Sequence, residues 1–494
     1  MTRRNRKTAV VLVAILGTSW LAGPVVAAQT GFETSCSSEA GDAFNEGLSL
    51  LHNMMYIQAE AEFMKAADAD PSCAMAQWGV GMSNFHPLWP GAPSEAETER
   101  GMAAAAKLAM LQTGTPVEQA LVEAVAAFYA PGADGYRTRL EAWAQAQIAA
   151  GEQNPDNTDT AAFAALARLA TAPRGPEGVA VKAQVGDALD ALHKSDPGHP
   201  GVIHYAIHAY DNPALKERGR PYAEIYDRTA PEAPHALHMP AHIFTRTGDW
   251  DRSIDLNNRS ARAALEQSGD VIQTHYAHAV DYLVYGYLQL GEVSKAQALV
   301  DEMLAIDNHQ VSFGGAYALA AAPVRVVLET GDWSQAAGLS PDMHAAIPWD
   351  EFPQTVAINR FARGLGAARS GDTDAAREAV AGLETLKAAM EERGQGYWAK
   401  LTGAQILSVQ AWIELAEGDT VSALEMQRSA AELEDSIGKS PVTPGHVLPA
   451  RELLGDMLAE LGRQDEAVQA YEATLSLSPN RARSMAALEG AGGQ

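Results

Sequence analysis

Apolar and polar positions along the chain recur with the period of a helix, not of a strand. VEQALVEAVAAFYA (117–130) and TAAFAALARLATA (160–172) space their apolar residues three and four apart. Alanine, a strong helix former, fills many of these positions. Clusters such as NPDNTDT and TAPRGPEG break the runs. No strand-type alternation of useful length occurs. Gly-acid pairs recur after helical stretches: Gly248-Asp249, Gly291-Glu292, Gly331-Asp332, Gly371-Asp372 and Gly418-Asp419. Each is followed within a few residues by alanine or serine. The pattern predicts an all-α chain with turns at these pairs.

The stretch RELLGDMLAELGRQDEAVQAYEATLSLSPN carries a more specific pattern. Leu454-Gly455, Leu458, Gly462, Ala467, Tyr471 and Pro479 resemble the tetratricopeptide repeat (TPR), a ~34-residue helical hairpin. Gly47, Leu50, Ala59, Phe63, Ala66 and Pro71 repeat the scheme near the other end. Small residues let the two helices of a hairpin approach, large ones fill the space between them, and proline ends the second helix. The resemblance is strong at both ends and looser between them. It implies an all-α, right-handed superhelical solenoid of antiparallel helical hairpins, whose first helices line a concave groove that takes a protein or peptide partner. The repeats divide the chain into 29–91, irregular hairpins over 92–198, a histidine-rich section over 199–310, degenerate repeats over 311–447, and a last repeat with its tail over 448–494.

The histidine-rich section holds two H-x-x-x-H pairs, His204/His208 and His238/His242, one repeat length apart. With Gly248 as the turn glycine, both pairs fall at the same groove-facing positions of a first helix. An i,i+4 pair puts both rings on one face, with Cβ atoms about 5–6 Å apart. Neighbouring helices pack about 8–10 Å apart. The four imidazoles are therefore expected to converge on one transition-metal ion, with His278 and Asp281 of the next repeat as further ligands. Zinc or copper suits imidazole; a carboxylate ligand would also admit iron or manganese. His199, His235 and His275 precede these helices and are expected as caps or outer donors. His52 and His86 read as ordinary polar residues far along the solenoid, Trp89 as a packing residue, and His446 has no assigned role.

The chain has 494 residues, a hydrophobic fraction of 47% and a formal charge of −26. Such acidity disfavours nucleic acid and anionic membranes, whose recognition needs clustered cations. Arg3, Arg4, Arg6 and Lys7, the run AVVLVAILGTSWLAG and Val26-Ala27-Ala28 form a cleavable secretory signal over 1–28, cut after Ala28. This places the protein in the periplasm or outside the cell, without stable membrane insertion. In an oxidising compartment the only two cysteines, Cys36 and Cys73, are expected to pair.

Recognised catalytic motifs are missing. Tyr-Ala-Ile and Met-Pro-Ala separate the paired histidines, so the acid of a zinc-peptidase H-E-x-x-H is absent, and Pro240 is expected to confine His238 to a first helical turn. There is no G-x-S-x-G elbow, dinucleotide fingerprint or C-x-x-C. Gly438-Lys439-Ser440 lacks the partner glycine of a phosphate loop, because position 433 is leucine. The expected function is a binding or scaffold protein with a histidine-lined, metal-binding groove. A metal-free protein–protein scaffold and a metal-dependent hydrolase or oxidase are the alternatives.

Overall fold

A computed structural model describes residues 31–89, 91–132 and 135–492. The expected signal segment over 1–28 lies outside the described residues. The described chain is built from helices that follow one another as hairpins. The first hairpins are α1 (Ser38–His52) with α2 (Tyr56–Ala69), α3 (Ala74–Met82) with α4 (Glu95–Leu108), α5 (Pro116–Phe128) with α6 (Tyr136–Gln153), and α7 (Thr158–Thr171) with α8 (Pro176–Ser195). The central section holds α9 (Pro200–Tyr210), α10 (Lys216–Ala223), the short α11 (Tyr226–Thr229), α12 (Pro234–His238), α13 (Pro240–Thr247) and α14 (Trp250–Glu266). Then come α15 (Thr274–Gln289) with α16 (Val293–Leu304), α17 (Phe313–Thr330) with α18 (Trp333–Ala337), and α19 (Pro353–Arg369) with α20 (Thr373–Glu392). The last are α21 (Gly396–Glu417) with α22 (Thr420–Ile437), α23 (Ala450–Glu460) with α24 (Gln464–Leu477), and a closing α25 (Ala482–Gly492). This is an all-α, TPR-like solenoid. The section over 92–198 is as regular as the rest, and among the described residues no helix is long and apolar enough to cross a membrane.

The turns follow from the sequence. Gly248, Gly291, Gly331, Gly371 and Gly418 all have positive φ, between 68° and 91°, which only glycine adopts without strain. Asp332, Asp372 and Asp419 then cap the next helix with their side chains. The small-against-large pairs hold the hairpins together. A Cβ at Gly47 would sit 2.9 Å from the Phe63 ring, and one at Gly455 2.6 Å from Tyr471. The Cys36–Cys73 disulfide ties the start of α1 to the start of α3, 37 residues apart. Loop-closure entropy makes that bridge worth about 3–4 kcal/mol.

Two features position the central histidines. The amino-terminal hairpins curl until α1 packs on α9. From the other end, the connection between α22 and α23 lies against α15 and α17. Tyr282 donates to the Pro441 carbonyl at 3.2 Å, and Arg325 donates to Gly445 O at 3.0 Å and to Thr443 Oγ1 at 2.7 Å. Trp250 Nε1 likewise donates to Asn480 O at 3.0 Å, beside α25.

Candidate metal centre

His238 closes α12 and His242 lies inside α13. Met239 between them keeps helical dihedrals, φ −55° and ψ −39°. Pro240 removes one backbone donor, and the backbone divides there into α12 and α13, with His242 N–H bonded to the Met239 carbonyl. His238 therefore sits a full turn into helical structure, not in a first turn as the proline predicted, and the two rings stay on one face. Their Nε2 atoms lie 2.9 Å apart.

That short approach is the central observation, because the hydrogen bonds around it fix both tautomers. Asn257 Nδ2 donates to Ser253 O at 2.7 Å, so its Oδ1 is an acceptor and His238 Nδ1 must donate to it, at 2.6 Å. His242 Nδ1 donates to Asp211 Oδ2 at 2.9 Å, and Asp211 Oδ1 accepts from Arg246 Nε at 2.7 Å. Burial pushes the Asp211 carboxyl up, but Lys439, Arg246 and His242 outweigh it and hold the group ionised. With both Nδ1 protons committed, both Nε2 atoms present lone pairs to each other. Protonating either ring is opposed by burial, which lowers the pKa of both. A cation between them removes the repulsion. His278 completes the set: the ligand atoms of His238, His242 and His278 lie within 4.8 Å of one another, and His278 Nδ1 is buried with no hydrogen-bond partner.

A second set adjoins the first. His204, His208 and His235 also bring their ligand atoms within 4.8 Å of one another. His204 Nδ1 donates to the carbonyl of His52 at 2.7 Å, which leaves its Nε2 as a lone pair 3.1 Å from His208 Nε2. The four paired histidines do not converge on one point as the sequence reading expects. They divide two and two, each pair taking a third ring. α12 supplies His235 to the pair on α9, and α15 supplies His278 to His238 and His242.

Several expected roles change. Asp281 lies away from the histidines: Arg325 Nε and Nη2 hold its two oxygens at 2.7 and 3.1 Å, and both side chains are fully buried. It is a structural ion pair, not a ligand. His235 lies inside α12 and caps nothing, and His275 lies inside α15 rather than before it. His275 instead packs 5.5 Å from the His235 ring, under Trp89 at 5.7 Å. His199 does cap α9, accepting from Val202 N–H. His52 is not remote: its Nε2 lies 2.9 Å from Asp159 Oδ1, the same oxygen that His199 Nε2 meets at 3.1 Å. This third cluster satisfies itself. His199 Nδ1 accepts a backbone proton, so its Nε2 donates to Asp159, and Tyr205 can donate to His52 Nδ1 at 3.0 Å. His446 lies 3.8 Å from Glu434 and outside both sets. Asp211, Asn257 and the His52 carbonyl are the functional groups that sequence spacing does not reveal, since each comes from a different helix.

Burial depresses the histidines further. His204 and His278 fall to about 3, and His52 and His275 to about 4. Neutral rings are the ligating form. The unfolded chain takes up protons at these sites below about 6.5, while the fold does not. Stability is therefore lost as pH falls through that value and continues downward until the folded-state values are reached. Each group contributes up to about 1.4 kcal/mol per pH unit. The melting temperature of the metal-free chain is expected to drop between about pH 7 and about pH 5, followed by circular dichroism. An unchanged midpoint across that range would contradict the buried neutral cluster.

No protein-family model matches this chain, and no curated protein matches it in sequence. Solved structures that it resembles include yeast Tom70, at 12% identity over 92% of this chain and 95% of that one, TM-score 0.35. A human IFIT1 dimer with m7Gppp-AAAA is 12% identical over 90% and 96%, TM-score 0.41. The Cut9–Hcn1 hetero-tetramer of the APC/C is 14% identical over 92% and 90%, TM-score 0.31. None of these likenesses carries a function over to this chain, whose TPR-like solenoid rests on the helices and turns described above.

Proposed function

We propose that this protein is an exported, TPR-like metal-binding protein that holds a zinc or copper ion between His238, His242 and His278. The facing Nε2 lone pairs of His238 and His242, 2.9 Å apart with both Nδ1 protons engaged, carry this reading. The Asp211–His242 contact is the carboxylate–histidine arrangement that orients a ligating ring and raises its basicity. Zinc and copper fit an all-imidazole set, and with Asp281 held by Arg325 the carboxylate that would favour iron or manganese is missing. Three protein donors leave a coordination position for water or a further ligand. The sequence signal over 1–28 and the Cys36–Cys73 bridge support export to an oxidising compartment. Metal analysis of the untagged, full-length chain after exposure to zinc or copper tests the proposal. Bound metal, one equivalent of which is lost in His238→Ala/His242→Ala with helical circular dichroism retained, is the expected result. A wild-type chain that takes up neither metal overturns it.

A further inference from the structure

The first set does not account for His235. The His204–His208 contact, at 3.1 Å, is satisfied by an ordinary N–H···N bond if His208 carries its proton on Nε2. His235 has no such solution. The residue is only 7% exposed, and its Nε2 has no hydrogen-bond partner. An unpaired buried nitrogen is costly unless something fills its lone pair or takes its proton. His204 Nε2 presents a lone pair to the same place, because the His52 carbonyl holds the proton on Nδ1. Tyr226 stacks on the His204 ring at 5.1 Å and Trp89 lies 6.1 Å from His235, so the set has aromatic walls on two sides.

We infer that His204, His208 and His235 bind a second zinc or copper ion beside the first, making the cluster a two-metal centre. This rests on the proposed first site. Both sets draw on one short helix, since α12 gives His235 to one and His238 to the other, with ring centroids 6.4 Å apart. The same donor chemistry serves both: three imidazoles, no carboxylate ligand, and a backbone carbonyl, amide or carboxylate behind one or more rings to fix the tautomer. His208 is the partly exposed member of its set and His278 of the other, so each has an edge toward solvent.

The untagged, full-length chain, stripped of metal and reloaded with copper(II), provides the test. Wild type is expected to take a second equivalent, and its paramagnetic resonance signal is expected to be broadened or attenuated by the neighbouring ion. His235→Ala removes a ring whose buried Nε2 has no hydrogen-bond partner, so it is expected to keep its helical circular dichroism. It should lose one equivalent and give a sharp, isolated signal. His238→Ala/His242→Ala should also lose one, leaving the His235 set loaded. Saturation of wild type at one equivalent, unchanged by His235→Ala, overturns this inference and leaves the first site standing. Two equivalents that both survive His235→Ala place the second ion elsewhere and overturn it as well. No uptake at all removes both proposals.

Discussion

Asp281→Ala is expected to cost about 3–5 kcal/mol of stability, the penalty for leaving a buried charge without its partner. Arg325 is fully buried and donates to both Asp281 oxygens, and Asp281 raises an already high guanidinium pKa. Arginine cannot shed its proton to escape the low-dielectric surroundings. The reverse change differs. Burial already raises the Asp281 carboxyl, so in Arg325→Leu it can take up a proton and become neutral. Asp281→Ala should therefore be the more damaging of the two, and the gap should widen toward acid pH. Arg325 also holds Gly445 O and Thr443 Oγ1. Its displacement should loosen the connection between α22 and α23 and expose it to limited proteolysis. Denaturant titration measures the difference. Equal stability of wild type and Asp281→Ala would refute this account. Metal content should be unchanged in folded Asp281→Ala, in contrast to any role for Asp281 as a ligand.

Asp211→Asn is expected to weaken metal binding by about 10–100-fold, the usual effect of removing an outer carboxylate. The shape is almost unchanged, but an amide can turn its NH2 toward His242 Nδ1. The ring proton then moves to Nε2, the atom that must ligate. Asp211→Ala would leave the Nδ1 donor unpaired and free Arg246 and Lys439 of their counter-charge, so the amide is the cleaner variant. The His242 tautomer has its own signature. Asn257→Asp keeps an acceptor at His238 Nδ1, although it gives up the bond to Ser253 O, and should keep metal, while Asp211→Asn weakens binding although each change replaces a single heavy atom. Competition with a chromophoric chelator measures the affinity. Wild-type affinity in Asp211→Asn would show that the carboxylate does not set the His242 tautomer.

The repeat framework was readable because its chemistry is local. A glycine at a left-handed turn, an aspartate cap one residue later and a small-against-large pair such as Gly455 and Tyr471 each act within one hairpin. The two H-x-x-x-H pairs were readable for the same reason: i and i+4 share a face wherever a helix forms. Grouping was not readable. His235 passes for a cap when only its distance from Pro234 is known, and it becomes a member of the His204 set once α9 and α12 are side by side. His52 lies 152 residues from His204 and still supplies the carbonyl that fixes its tautomer. Asp281 has the right residue type and the right helix, but Arg325, on α17, reaches it first.

By itself, the sequence determined an all-α chain of stacked hairpins, their turns, and histidine pairs on the first helices of two neighbouring repeats. These depend on dihedral preferences and helical periodicity, which a short window of residues contains. Only the tertiary structure decided which rings face one another, which carboxylate is taken by an arginine, and which nitrogens are left as lone pairs. Those outcomes depend on how the solenoid curls α1 onto α9 and on how the segment before α23 returns to α15 and α17. Small changes in each hairpin's angle accumulate along the array, so contacts between distant repeats are set by the sum of many packings and by no single motif.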